Sequence, residues 1–272
     1  MSVLISPEQL SQEISSVLLF DCRFDLAQPA DGRRRFDEGH IPGANYVSLD
    51  DDLTAPLAEH GGRHPLPTVE DMQALFGRLG IERGKTAVVA YDDEGGCYAA
   101  RLWWMLRYCG QENVRVLDGG FTAWKDMGGE VSGESAAPVP VLFTAEVQSE
   151  MLASMEDVRD RTASEILFDC RASERFTGEE ETIDVKAGHI PGAINVPWRD
   201  LVAENGHFVS IARMADALAV ADERSIVYCG SGVTACVNVL AAARAGLDIP
   251  RLYAGSWSDW ISYEENPIVT GS

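Results

Sequence analysis

The chain is short of several residue types whose abundance would mark a protein class. Cysteine occurs six times in 272 residues, at positions 22, 97, 109, 170, 229 and 236, too sparsely for a disulfide scaffold. No pair is spaced as CxxC and none sits with histidine at zinc-binding spacing, so no metal site is expected. Basic residues are scarce as well: 22 Lys and Arg stand against 43 Asp and Glu, a net charge of −21. Nucleic acid and anionic membrane call for a basic footprint, and both are excluded as main partners. No apolar run approaches the roughly 18 residues of a membrane-spanning helix. The opening MSVLISPEQL has no basic stretch ahead of an apolar one, so no signal peptide is expected. A cytoplasmic protein with free thiols fits these absences. The remainder, 46% hydrophobic and 24% charged, is ordinary for a globular chain with a full core. Its length corresponds to about 1.8 domains.

What is present is a repeat. Leu-Phe-Asp-Cys-Arg stands at 19–23 and again at 167–171. Gly-His-Ile-Pro-Gly-Ala stands at 39–44 and at 188–193. Tyr91 pairs with Tyr228, and Phe121-Thr-Ala-Trp124 with Trp257-Ser-Asp-Trp260. Offsets of 136–149 residues over four blocks describe a duplicated domain and not a solenoid. The small, polar, proline-containing stretch 131–141 reads as a linker, giving domains at 1–135 and 145–272.

Each half alternates short apolar runs with helical segments. Strands are expected at Val17–Asp21, Thr86–Tyr91 and Val114–Leu117, and again at Ile166–Asp169 and Ser225–Tyr228. Helices are expected at 69–79 with Thr68 as N-cap, at 98–109 closed by Gly110, and at 235–245 closed by Gly246. Such alternation implies an α/β fold with parallel sheets flanked by helices. Ligands of such sheets bind at the carboxyl ends of strands, which directs attention to the loops after Tyr91 and Tyr228.

The second of these loops is Cys229-Gly230-Ser231-Gly232-Val233-Thr234, followed by a helix from Ala235. A helix N-terminus carries about half a positive charge and unpaired N–H groups, which favour the reactive thiolate. The two glycines let successive N–H groups turn inward as an anion nest. Thr234 can cap the helix. A buried cysteine in a tight turn is the competing reading. At the matching place in the first half stands Asp92, which has no sulfur chemistry, so the first copy is expected to be non-catalytic. A cysteine phosphatase would need arginine six residues past the cysteine; that position is Ala235.

With the tandem GHIPGA blocks, Asp92 in the first loop and CGSGVTA in the second, the whole chain resembles the two-domain rhodanese-type sulfurtransferases. The loop is most similar to that of the 3-mercaptopyruvate sulfurtransferases. The resemblance implies two tandem rhodanese-like domains, the second catalytic. It also implies a persulfide on Cys229 that passes sulfur from a small-molecule donor to a thiophilic acceptor: cyanide, a thiol or a dithiol reductant protein. No cofactor is implied. It assigns substrate binding to Arg175 and to Gly230, Gly232, Val233 and Thr234. A catalytic role falls to Ser231 together with His40 and Asp31 of the first half, matched by motif. His40 also has a structural reading, since His189 repeats it. The family's second substrate arginine, expected shortly before GHIPGA, is missing from Gly178-Glu-Glu-Glu-Thr-Ile-Asp-Val-Lys186, and thiosulfate stays open as the donor. The acidic run 179–184 reads as a solvated loop. An inactive rhodanese-like scaffold that binds partner proteins is the non-enzymatic alternative.

Overall fold

A computed structural model describes residues 2–135, 137–162 and 164–271. The chain divides into two compact units. Unit 1 runs to Ala55, resumes over Pro67–Gln148 and takes in Ala203–Phe208; unit 2 holds Pro56–Leu66, Ser149–Val202 and the chain from Val209 onward.

Unit 1 contains strands β1 (Leu4–Ile5), β2 (Leu18–Asp21), β3 (Ala44–Tyr46), β4 (Val88–Tyr91) and β5 (Val114–Leu117), in the order β1-β5-β4-β2-β3. Its helices are α1 (Pro7–Glu13), α2 (Ala30–Glu38), α3 (Val69–Arg78), α4 (Cys97–Tyr108) and α5 (Gly120–Asp126). Unit 2 repeats the plan with β6 (Leu152–Ala153), β7 (Leu167–Asp169), β8 (Ala193–Asn195), β9 (Ile226–Tyr228) and β10 (Arg251–Tyr253), in the order β6-β10-β9-β7-β8. Its helices are α6 (Met155–Arg159), α7 (Ser173–Thr177), α8 (Ile211–Ala217), α9 (Ala235–Ala245) and α10 (Ser256–Trp260). All strand pairs in both sheets are parallel.

The central strands β4 and β9 are buried along their whole lengths, as unbroken apolar runs covered on both faces should be. Strands and helices read from periodicity sit within two residues of their expected ends. Thr68 caps α3 by accepting the Asp71 N–H at 3.1 Å. Gly246 closes α9 with a left-handed φ of 72°. The two- and three-residue strands β1, β3, β6, β8 and β10 were not expected; a period of two cannot show itself in so few residues.

The repeated blocks hold the same structural positions in each unit. Arg23 grips Asp21 through Nε and Nη2, and its Nη2 also donates to the Gly39 carbonyl at 2.7 Å. Arg171 does the same with Asp169 and the Gly188 carbonyl, again at 2.7 Å. Tyr91 and Tyr228 accept the N–H of Ile41 and Ile190 through their hydroxyls, each at 3.1 Å. The GHIPGA segment is thereby tied to the strand that ends at the functional loop.

The domain boundaries differ from the expected 135 and 145 in two respects. The described part of the 131–148 stretch packs on unit 1 and is not a free linker: Ser132 exchanges two backbone hydrogen bonds with His40, Val141 N–H bonds Gly77, and Gln148 N–H bonds Tyr108. Two short segments, Pro56–Leu66 and Ala203–Phe208, belong to the unit of the other half. A linear reading has no signal for such an exchange.

Candidate active site

Cys229 follows the last residue of β9, and its N–H and C=O are both engaged. The N–H donates to Ser256 Oγ at 3.1 Å, and the C=O accepts the Trp257 N–H at 3.0 Å. Ser258 N–H likewise takes the Gly230 carbonyl at 2.9 Å. Ser256 has a φ of 57°, the one non-glycine residue with positive φ among those described. Its hydroxyl also donates to the Tyr253 carbonyl at 2.9 Å. A side chain in left-handed backbone carries strain, held here against the base of the loop.

The sulfur lies in a polar cradle. Burial of Cys229, 1% exposed, pushes its thiol up. Against that act a hydrogen bond from Thr234 and the N–H groups of Ser231, Ala235 and Gly232, and the balance leaves the thiol below its ordinary value. Thr234 therefore differs from the expected cap: it makes no side-chain capping bond to α9 and turns its hydroxyl to the sulfur. Gly232 makes the inward turn possible. Its φ is +73°, and a Cβ there would overlap the Ala254 carbonyl oxygen. Val233 is buried at 4% exposure.

Segment 56–66 lines this loop within unit 2. Gly61 N–H binds Asp259 at 2.7 Å, Arg63 N–H binds Ser258 Oγ at 3.1 Å, and His60 faces Ser262 Oγ at 2.8 Å. So anchored, the segment sets His64 Nδ1 2.7 Å from Ser231 Oγ, with both residues buried. It also lays Arg63 over Gly230. A Cβ on Gly230 would meet Arg63 Nη2 at 2.9 Å and the Arg175 terminal nitrogens at 3.5 and 3.6 Å. A Cβ at 230 would displace the Arg63 guanidinium and come into ordinary contact with that of Arg175.

His40 and Asp31 belong to unit 1. His40 is fully buried in unit 1, stacked on Phe36, with Nδ1 2.8 Å from the Phe36 carbonyl and Nε2 3.0 Å from the Glu134 carbonyl. His189 repeats that pose against Phe176. Both are turn histidines, and the imidazole beside Ser231 is that of His64. Asp31 lies on α2, paired with Arg34 and Arg35. His64 and Arg63 escaped the sequence reading because Pro56–Leu66 has no counterpart among the repeated blocks. The one available signal was His60-Gly-Gly-Arg-His64, two imidazoles and a guanidinium in a stretch with no periodicity.

The acidic run is a solvated loop only in part: Glu179 and Glu180 are exposed, whereas two of its carboxylates turn inward. The Glu181 and Asp184 side chains are 2% and 4% exposed. Burial pushes the Glu181 carboxyl up, but Arg175 and the N–H groups of Asp184 and Ile183 bring it below its usual value. Lys186, the one basic side chain in the 178–186 stretch, donates to the Ile261 carbonyl at 3.0 Å.

The rhodanese-like domain model matches residues 6–127 and 148–263. The chain belongs to the rhodanese family, with the domain in two copies. It is similar to a probable 3-mercaptopyruvate sulfurtransferase of Pseudomonas aeruginosa, 38% identical over 98% of each chain. A putative thiosulfate sulfurtransferase, SseB of Mycobacterium tuberculosis, is 39% identical over 99% of this chain and 98% of its own. Among solved structures, SseA of Escherichia coli, described as a 3-mercaptopyruvate sulfotransferase, superposes with a TM-score of 0.81 at 29% identity. That match covers 95% of this chain and all of SseA.

Proposed function

We propose that the protein is a sulfurtransferase that moves sulfur from 3-mercaptopyruvate to a thiophilic acceptor through a persulfide on Cys229. The observation that carries this reading is a thiol kept low by three inward amides and a hydroxyl despite its burial. The Cys229 thiolate attacks the donor sulfur. The carbon–sulfur bond breaks, its electron pair goes to carbon as the pyruvate enolate, and the sulfur stays with its proton as Cys229–S–SH, which ionises to Cys229–S–S⁻ in the cradle by releasing that proton to solvent. The enolate needs a proton. Ser231, 2.7 Å from His64 Nδ1, supplies it in this reading, with His64 restoring the hydroxyl. The acceptor then takes the outer sulfur and Cys229 leaves as thiolate, a double-displacement cycle. The chemistry requires no metal or organic cofactor. A dithiol protein as acceptor and a cytoplasmic setting belong to the same reading, supported by free thiols at all six cysteines. Arg175 and Arg63 orient the donor carboxylate.

Thiosulfate is the second reading, favoured by the presence of two guanidinium groups over Gly230. Measurement of kcat/KM for both donors on one preparation separates the two, with mass spectrometry of the donor-treated protein for the bound sulfur. A higher value with mercaptopyruvate, and a Ser231→Ala change that cuts mercaptopyruvate turnover by about 10²-fold but thiosulfate turnover far less, is expected. Thiosulfate does not need the enolate protonated. Higher efficiency with thiosulfate overturns the donor assignment, and a persulfide on a residue other than Cys229 overturns the mechanism.

A further inference from the structure

The two arginines over Gly230 are joined by a buried carboxylate. Asp184 Oδ1 pairs with Arg63 Nη1, and its Oδ2 accepts from Arg175 Nη2 at 2.8 Å. Glu181 takes Nε and Nη2 of the same Arg175 at 3.0 and 2.9 Å. Behind them Arg171 is held by Asp169 at 2.6 Å, with Glu181 3.5 Å from its Nη1. Three guanidinium groups thus face three carboxylates, and no net positive charge remains for a donor. Such pairing is not forced by a need to bury the arginines, since the side chains of Arg63 and Arg175 are 30% and 18% exposed. Arg63 Nε is buried and has no hydrogen-bond partner among the described residues.

We infer that Asp184 is a specificity-determining residue: by bridging Arg63 and Arg175 it cancels charge at the mouth of the Cys229 loop and sets the site for a donor with a single negative charge. The inference rests on the sulfurtransferase reading above. Asp184 does not touch the donor. It holds the two guanidinium groups in place and subtracts from their field, which acts over the same few ångströms as the donor's own charges. A monoanion such as mercaptopyruvate needs one hydrogen-bonded fork, which the pair still offers. A dianion such as thiosulfate, or the sulfite it releases, gains less than it would from two unneutralised arginines while meeting the Asp184 carboxylate.

The test is Asp184→Asn, which keeps the shape and one acceptor oxygen while removing the charge. Steady-state kinetics with cyanide as acceptor are measured with each donor. Thiosulfate kcat/KM is expected to rise about tenfold relative to that of mercaptopyruvate, carried by KM, with a weaker rise at high salt. Sulfite affinity, read by calorimetry, should rise in step. A merely structural role would lower kcat for both donors alike and leave the ratio still. Glu181→Gln, which leaves the Asp184 bridge in place, is expected to move the ratio the same way by a smaller factor, and it decides the matter if Asp184→Asn does not fold. A donor ratio within about twofold of wild type, or a shift toward mercaptopyruvate, overturns the inference. Wild-type protein that loads persulfide from neither donor refutes the sulfurtransferase reading instead, so the two failures are distinct.

Discussion

The loops that follow β4 and β9 leave equivalent strands of two sheets with the same order, and each opens into the longest described helix of its unit. After β9 the thiol of Cys229 is drawn down by the Thr234 hydroxyl and the amides of Ser231, Gly232 and Ala235. After β4 the carboxylate of Asp92 receives four hydrogen bonds, from the amides of Glu94 and Gly96 at 2.9 and 2.8 Å and of Tyr98 and Ala99 at 2.9 Å each. Both side chains are buried. The same architecture thus turns donors onto one buried side chain in each unit. In unit 1 that side chain is a carboxyl, which the loop amides keep occupied. In unit 2 it is a thiol drawn below its ordinary value, the group that under the proposed function takes on one more sulfur. The comparison separates the anion-binding property, which belongs to the strand–loop–helix corner, from the chemistry, which belongs to the one residue placed in it.

The sharpest way to break this comparison is to exchange function for stability at the two positions. Cys229→Ser should abolish sulfur transfer, on the order of 10⁴-fold or more, with little change in melting temperature. Asp92→Ala should leave persulfide loading per folded molecule unchanged but cost about 3 kcal/mol or more of stability, since four buried amides lose their acceptor. Calorimetric melting beside turnover measurements reads both. Activity that falls with Asp92→Ala while the fold holds would mean that the first cradle takes part in the reaction.

A smaller effect is expected at Thr234. Replacement by valine removes the donor that acts most strongly on the Cys229 thiol, so the midpoint of iodoacetamide alkylation against pH should move upward from its lowered position. At pH 7 the rate should fall by about three- to tenfold. An unmoved midpoint would place control of the thiolate in the amides alone.

Asp92 supplies a pH dependence of opposite sense. Full burial pushes its carboxyl up to about 6 from the usual 3.8, against the pull of the amides of Ala99, Glu94 and Gly96. Between those values the native state holds a proton that the unfolded chain has lost. The contribution of this group to stability is therefore whole below 3.8 and is lost as pH rises through about 6. Denaturant titrations across that window should show a downward component that disappears in Asp92→Asn. An unchanged slope in the variant would assign the dependence to other carboxyls.

The smallest predicted effect concerns the turn beneath each loop. Unit 1 places Gly120 there, with φ +59°, and its neighbour Phe121 bonds the Asp92 carbonyl. Unit 2 places Ser256 at φ +57° and uses its hydroxyl to receive the Cys229 N–H. Ser256→Gly adopts the unit 1 solution, trading the hydrogen bond for relief of strain, and should be within about 1 kcal/mol of wild type. Ser256→Ala keeps the strain and loses the bond, and should melt below Ser256→Gly by about 1 kcal/mol. The reverse order in thermal melts would show that the left-handed conformation is not maintained in the variants.

The central strands, their helices and the Cys229 loop were legible because each rests on local signals: apolar runs, caps, glycines and a repeat that confirms itself at two places. His64 and Arg63 were not, because Pro56–Leu66 has no secondary structure and its destination is set by Ser258, Asp259 and Ser262, roughly two hundred residues away in the chain. Nor were Glu181 and Asp184. A run of acids carries the same letters whether it faces water or arginine, and only the tertiary partners Arg63, Arg171 and Arg175 distinguish the two. His40 had a structural reading in the sequence because His189 repeats it, and each of the two rings is stacked on a phenylalanine.

The placement of Pro56–Leu66 makes the duplication irreversible. A descendant gene encoding only the half from residue 145 onward would still specify the nucleophile, the glycines and the helix, yet its Ser231 would lack an imidazole and its mouth one guanidinium. Under the proposed function, the unit that performs the chemistry draws side chains from the other half, the first copy can no longer be discarded, and selection on turnover extends to the eleven residues Pro56–Leu66.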